Sequence, residues 1–265
     1  MGIFVAVVLG AVQGLTEFLP VSSSGHLVLL QKVFGISEPA LFFDTMVHVG
    51  TLAAVFAALW RDIWAILRRI VQPLTAYLIL ATVPAVVFAL IFKDSIEKAF
   101  ESGKMLGAAF LITSALLAVS EILSRRAGRA ERKKAGEMTW RDALIVGLLQ
   151  AAAIIPGVSR SGATLSGALS RRLDRDFAAR FSFLLSIPAI LGALVLQLKN
   201  PADAAGGIGA APIIAGTLSA AIVGFFAVRL MLKIVKNRPL AGFAIYTAIL
   251  GALVLIDQFV THLVF

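Results

Sequence analysis

The sequence predicts an all-α integral membrane protein, with six transmembrane helices plus two re-entrant helical hairpins in an inverted-topology repeat. Three observations lead there. The first is composition: 59% of the 265 residues are hydrophobic, 15% are charged, and the mean hydropathy is +0.94. Soluble domains carry about 25% charge. The second is a duplicated polar segment: GAVQGLTEFLPVSSSG (10–25) returns as GLLQAAAIIPGVSRSG (147–162). At an offset of 137, Gly10, Gln13, Val21, Ser22, Ser24 and Gly25 meet Gly147, Gln150, Val158, Ser159, Ser161 and Gly162. Paired polar breaks in apolar segments mark a buried binding site in inverted-repeat membrane proteins. The third is the placement of the net charge of +9, which falls between apolar stretches. There it reports orientation, and nucleic acid is not expected as a partner.

Residues 1–34 form two short apolar pieces split by FLPVSSSG. Pro and Gly end a helix there, and Ser caps the next one. No basic region precedes the first apolar piece, so no removable signal peptide is expected. Residues 39–60, 71–92 and 105–124 are long and apolar enough to span a bilayer, as are 177–198, 208–228 and 239–258. Between them, 61–69 carry Arg61, Arg68 and Arg69 against Asp62. Residues 125–134 carry Arg125, Arg126, Arg129, Arg132, Lys133 and Lys134 against Glu131, and 229–238 carry Arg229, Lys233, Lys236 and Arg238 with no acid. These three loops are expected to be cytoplasmic. The 93–104 loop balances Lys93, Lys98 and Lys104 against Asp94, Glu97 and Glu101, and is placed outside; 199–207 carry only Lys199 and Asp203.

Residues 141–170 leave the basic 125–134 loop, break at PGVSRSG, and end at Arg171, Arg172 and Arg175. Both ends are then inside, which makes the segment a re-entrant hairpin. Counting crossings back puts both ends of 1–34 outside, and both termini with them. The chain is read as a single membrane domain: repeat 1 at about 1–124, a basic cytoplasmic loop at 125–140, and repeat 2 at about 141–265. Irregular backbone at membrane depth must be buried in protein or line a wet cavity. Two hairpin tips meeting near the midplane meet that requirement. The absence of cysteine excludes disulfide and thiol chemistry.

The chemistry lies at the tips. Gln13 and Glu17 are four apart and share a helix face. A membrane-buried Glu is costly and is a functional candidate by default, although it can also serve as a counter-ion for Arg160. His26 opens the second short helix after Ser22, Ser23, Ser24 and Gly25, beside a buried acid; a satisfied core His is the alternative. Arg160, between Ser159 and Ser161, offers a fork of donors suited to phosphate. Thr164 adds a hydroxyl one turn later. Two helix N-termini at the tips favour an anion. Six hydroxyls and one Arg suit a polyanion better than a metal cluster. Asp44 and His48, also spaced i, i+4, either line the same cavity or form a local pair. Arg180 snorkels or pairs near the start of its span.

QGLTEFLPVSSSGHL together with PGVSRSGAT resembles the undecaprenyl pyrophosphate phosphatase family, the bacitracin-resistance proteins. The family's (E/Q)xxxE is Gln13 and Glu17, its PVSSxGH is Pro20 to His26, and its PGxSRSxxT is Pro156 to Thr164. FFDTMVHVGTLAAV (42–55) and ARFSFLLSIPAI (179–190) are also similar to family segments. Two positions vary: Gln13 lacks a carboxylate, and His48 stands where Gln is expected. The resemblance implies hydrolysis of undecaprenyl pyrophosphate to undecaprenyl phosphate in the bacterial inner membrane. It further implies recycling of the carrier lipid for cell-wall synthesis, bacitracin resistance when abundant, and dependence on a divalent cation, Mg²⁺ or Ca²⁺. Glu17, His26, Ser159 and Arg160 are then the catalytic candidates. Gln13, Ser22, Ser23, Ser24, Ser161 and Thr164 are the substrate-binding ones.

Phosphoanhydride cleavage needs stabilised equatorial oxygens, an in-line nucleophile and a neutralised leaving phosphate. Glu17 is expected as general base or as metal ligand together with the substrate phosphates. His26 serves as acid, base or nucleophile, and water or His26 is preferred over Ser159 for the attack. The partners expected are the prenyl pyrophosphate lipid and the bilayer, and a homodimer stays open. The SSSGH and SR elements superficially resemble the type-2 phosphatidic acid phosphatases, but no His follows Arg160 before His262. The rival reading is a transporter or flippase of a lipid phosphate, since broken inverted repeats are transporter architecture.

Overall fold

The computed structural model describes residues 1–36, 40–92, 95, 96, 98, 102–126, 132–198 and 208–265. Part of the charge reading rests on Lys93, Asp94, Glu97, Glu101, Arg129, Glu131, Lys199 and Asp203, which lie outside these residues. The described chain is helical: α1 Ile3–Phe18, α2 Ser23–Val33, α3 Leu41–Ala58, α4 Trp60–Arg68, α5 Pro73–Ile91, α6 Leu106–Arg126, α7 Trp140–Ala152, α8 Arg160–Ser170, α9 Arg175–Leu198, α10 Ala210–Asn237 and α11 Ala241–Ile256. Six of them (α3, α5, α6, α9, α10 and α11) are long and apolar enough to cross a membrane. The protein is therefore a multi-pass, all-helical membrane protein.

The two halves pack by matching rules. α1 and α3 pack on α10, while α7 and α9 pack on α5. α6 and α11 pair with each other, as do α3 and α9. Glycine sets the closest approaches. A Cβ added at Gly10 would lie 2.1 Å from the Gly216 carbonyl oxygen, and one at Gly147 would lie 2.7 Å from that of Ala81. These two glycines are equivalent in the duplicated segment, so the sequence repeat and the packing repeat coincide there. The main core gathers Phe18, Leu117, Phe181, Leu185 and Met231, and Phe18 meets Phe183 edge-on at 5.5 Å.

Two elements differ from the sequence expectation. The stretch 61–69, read as a loop, is largely the helix α4, set off from α3 at Leu59 (φ −106°, ψ 22°). α10 runs on to Asn237, so Arg229, Lys233 and Lys236 lie on helix rather than in a loop. Basic residues are good helix formers, and no Pro or Gly stops the helix before Asn237.

The base of the second hairpin is pinned by charge. Thr139 caps α7 by accepting from the Asp142 N–H, and the Asp142 carboxylate accepts in return from the Thr139 N–H. Lys133 Nζ (2.9 Å) and Arg171 Nε (2.8 Å) both donate to that fully buried carboxylate. Burial pushes its pKa up, but these hydrogen bonds outweigh it and hold the group at about 2. At the same end of the bundle, Arg175 donates to Glu121 (3.1 Å), to the Val235 carbonyl (2.6 Å) and to the Arg238 carbonyl (2.7 Å).

Candidate active site

Each hairpin breaks and restarts in the same way. After α1 the chain turns through Leu19–Ser22, and the Ser22 hydroxyl accepts from the Gly25 N–H at 3.2 Å. After α7 it turns through Ala153–Ser159, and the Ser159 hydroxyl accepts from the Gly162 N–H at 3.0 Å. Both are N-caps, and both fall on the duplicated Ser–x–x–Gly. The turns themselves differ. The first places Ser22 at φ 71°, while the second uses Gly157 at φ 91°. A left-handed Ser is uncommon and strained, and such backbone gathers at functional sites.

The tips touch. Gly157 N–H donates to Ser24 Oγ (3.4 Å), and Ser161 Oγ donates to the Leu19 carbonyl (3.0 Å). Across this contact Arg160 Nη2 donates to Glu17 Oε1 in a close ion pair. Glu17 Oε2 accepts from Gln13 Nε2 (2.9 Å) and Ser23 Oγ (2.6 Å). The pair is desolvated, with side-chain exposures of 17% and 6%. A buried pair of this kind holds together because several hydrogen bonds satisfy the charges at once.

Beside it lies a cavity of about 380 Å³. Glu17, Ser23, Ser24, Ser159, Arg160 and Ser161 line its polar end. Leu27, Val28, Ile154, Ala189, Ile190 and Ala193 form apolar wall. A polar end with apolar walls suits a charged head on a hydrocarbon tail.

Six of the ten predicted site residues thus meet at the cavity. The other four stand behind it. Gln13 supports Glu17, and Ser22 caps α2. Thr164 donates to the Arg160 carbonyl (3.0 Å) and shares a hydrogen bond with Ser182 Oγ (2.6 Å), which fixes the first turn of α8. His26 Nδ1 lies 2.7 Å from the Ser22 carbonyl and must donate to it, so Nε2 accepts from the Tyr246 hydroxyl at 2.7 Å. Both ring nitrogens are therefore engaged outside the cavity lining, and the ring packs edge-on against Phe110.

Asp44 and His48 line the cavity. They are not paired through their side chains: His48 Nδ1 donates to the Asp44 carbonyl oxygen at 2.6 Å, and the Asp44 carboxylate accepts from Gln31 Nε2 at 2.7 Å. His48 Nε2 sits 3.7 Å from Glu17 Oε2. Their i, i+4 spacing was the signal available in the sequence. Tyr246, Ser182 and Gln31 carried none, because Tyr246 is 220 residues from His26. Arg180 pairs with Asp176 (2.9 Å) and Asp62 (2.8 Å) rather than snorkelling. Among the described residues no three His, Cys, Asp or Glu gather to hold a metal ion.

The family model described as bacitracin resistance protein BacA matches residues 6–253. An undecaprenyl-diphosphatase of Carboxydothermus hydrogenoformans is 47% identical over 261 residues, covering 97% of this chain and 98% of that protein. Undecaprenyl-diphosphatase 4 of Bacillus thuringiensis subsp. konkukian is 46% identical over 255 residues, 96% of each chain. An undecaprenyl-diphosphatase of Methanosphaera stadtmanae is 39% identical over 280 residues, covering 97% and 98%. With the family model covering nearly the whole chain and these relatives aligned end to end, the protein belongs to the bacitracin resistance protein BacA family.

Proposed function

We propose that this protein hydrolyses undecaprenyl pyrophosphate to undecaprenyl phosphate and inorganic phosphate. The reaction recycles the carrier lipid for cell-wall synthesis in the bacterial inner membrane and confers bacitracin resistance when the enzyme is abundant. The observation that carries this reading is the Glu17–Arg160 pair, joined across two hairpin tips at the polar end of a cavity with extensive apolar walls. The relatives' names support a phosphatase, and a transporter or flippase is not favoured. Both hairpins are read as re-entrant, each entering from its own face.

The residues then divide the work. Arg160 exchanges part of its pairing with Glu17 for the pyrophosphate oxygens, where its fork stabilises charge in the transition state. The hydroxyls of Ser23, Ser24, Ser159 and Ser161 complete the anion cradle. Water attacks the terminal phosphorus in line with the bridging oxygen. The P–O–P bond breaks, inorganic phosphate leaves, and the lipid keeps the other phosphate. Glu17 takes the water's proton or holds a cation. Among the described residues, Glu17 and Asp44 are the carboxylates that line the cavity. They suit Mg²⁺ or Ca²⁺ bound jointly by a carboxylate and substrate phosphates, which would neutralise charge on the leaving group. His26 takes part directly only if its Tyr246 hydrogen bond opens and the ring turns inward.

Phosphate release by purified protein given a prenyl pyrophosphate tests the reading. Wild type is expected to release phosphate, with Glu17→Gln and Arg160→Lys strongly impaired. Absence of release by wild type, with or without Mg²⁺ and Ca²⁺, overturns it, and lipid movement without release restores the flippase. Rapid quench with labelled substrate separates the nucleophiles. Acid-labile label at His26 or acid-stable label at Ser159 would each replace direct attack by water.

A further inference from the structure

A second cavity, of about 530 Å³, opens away from the site and is lined by Trp60, Arg61, Asp62, Arg180, Arg229 and Leu232. We propose that it binds the phosphodiester headgroup of an anionic phospholipid. It lies where α3 gives way to α4, beside the first turns of α9 and the basic last third of α10. That end carries Arg61, Arg68, Arg69, Arg229, Lys233 and Lys236, and the charge pattern assigns it to the cytoplasmic membrane surface.

The charges there are not all spoken for. Arg180 is bound on both sides, to Asp62 and to Asp176. Arg61 and Arg229 have no carboxylate partner among the described residues. Arg229 lies over the Phe225 ring, with its guanidinium carbon 5.0 Å from the centroid. Stacking occupies the face of a guanidinium and leaves its N–H edge free for an anion. Counting Asp176, which holds Arg180 from outside the lining, three guanidinium groups stand against two carboxylates, and the one positive charge left matches the single negative charge of a phosphodiester. Basic pockets between transmembrane helices are the recurrent form of headgroup site.

α4 supplies the second argument for a lipid rather than a free anion. Trp60 and Trp64 stack at 5.5 Å and are 54% and 42% exposed, while Ile63 is buried against the core. Arg68 lies over Trp64 at 5.1 Å. A short helix with exposed Trp and Arg on one side and buried Ile on the other belongs in the interfacial layer. Trp60 and Leu232 give the cavity an apolar edge, against which the glycerol end of a lipid can rest. This inference is independent of the phosphatase reading.

The test measures phosphatidylglycerol binding to the detergent-purified full chain by native mass spectrometry. Phosphatidylcholine and inorganic phosphate are the comparison arms. Wild type is expected to retain phosphatidylglycerol over phosphatidylcholine, with millimolar phosphate failing to displace it. Arg61→Gln/Arg229→Gln is expected to weaken retention about ten- to thirtyfold, from the contribution of two basic residues near a lipid surface. Ala57→Trp fills the cavity from an exposed position, keeps every charge, and is expected to weaken it as well. Thermal unfolding without lipid reports that the variants fold. Retention within twofold of wild type in whichever of these variants fold overturns the proposal. Equal retention of phosphatidylcholine overturns it too, and displacement by inorganic phosphate reassigns the cavity to a free anion.

Discussion

The two hairpins share a backbone plan and differ in side chains. Several identical residues build: Gly10 and Gly147 allow close helix packing, and Ser22 and Ser159 cap the restarting helices, while the identical Ser24 and Ser161 both line the cavity. Where they differ they place the charged and titratable groups. At the offset of 137, Glu17 faces Ile154, Ser23 faces Arg160 and His26 faces Ala163. The acid thus comes from one copy and the guanidinium from the other, so neither hairpin is a site alone. The equivalent glutamines show the same split. Gln13 donates to Glu17, whereas Gln150 has no acid on its next turn and donates to the Ala81 carbonyl at 3.3 Å.

The largest break of this comparison comes at its asymmetric pair. Arg160→Lys keeps the charge but loses the fork, and turnover is expected to fall about 10²–10³-fold. Arg160→Ala also leaves Glu17 buried and unpaired, at a cost of about 3–5 kcal/mol in stability. Adding Glu17→Gln should recover most of that stability and none of the activity. Chemical unfolding and phosphate release measured on the same samples check both halves.

The symmetric glycines come next. Gly10→Ala and Gly147→Ala each drive a methyl into backbone, at 2.1 and 2.7 Å. Both are expected to destabilise by about 1–3 kcal/mol, with Gly10 the worse. Equal midpoints in thermal unfolding would contradict the tighter packing of the first hairpin.

The bases of the hairpins differ in their response to acid. α1 starts at Gly2 with no side-chain cap, whereas α7 starts on the Asp142 cluster. The Asp142 pKa falls from 3.8 to about 2 on folding. Its stabilisation is therefore present above about pH 4 and lost as pH falls through about 2. Hydrogen exchange in α7 should rise between pH 4 and 2 relative to α1, after correction for intrinsic rates. Asp142→Asn should remove that difference.

The smallest effect separates the caps. Ser22→Ala and Ser159→Ala should each cost about 1 kcal/mol. Ser159 also lines the cavity and Ser22 does not, so at matched stability Ser159→Ala should be the slower enzyme.

Much of this was legible in the sequence. Apolar length gave the six spans within about three residues at most ends, with α10 running on through a basic stretch. Pro, Ser and Gly placed both breaks. The offset of 137 identified the caps, and a buried Glu and Arg in the two motifs marked the candidate site at the cavity. These signals act within one or two turns of chain, so they survive without knowledge of the fold. Membrane class, helix ends and duplicated breaks were determined by the sequence itself.

The remainder depended on how helices rotate and pack. Glu17 meets Arg160 across 143 residues; the sequence offered that ion pair as one alternative, and the contact of the two tips is what forms it. His26 reads as a neighbour of Glu17, yet it turns away because α11 brings Tyr246 against it from 220 residues downstream. Asp44 and His48 share a helix face by spacing, but only the seating of α3 beside the tips brings them to the cavity. The sequence fixes periodicity along each helix and leaves its rotation free. That rotation is set by close approaches such as Gly10 on Gly216 and Gly147 on Ala81, and these exist only once both halves are assembled.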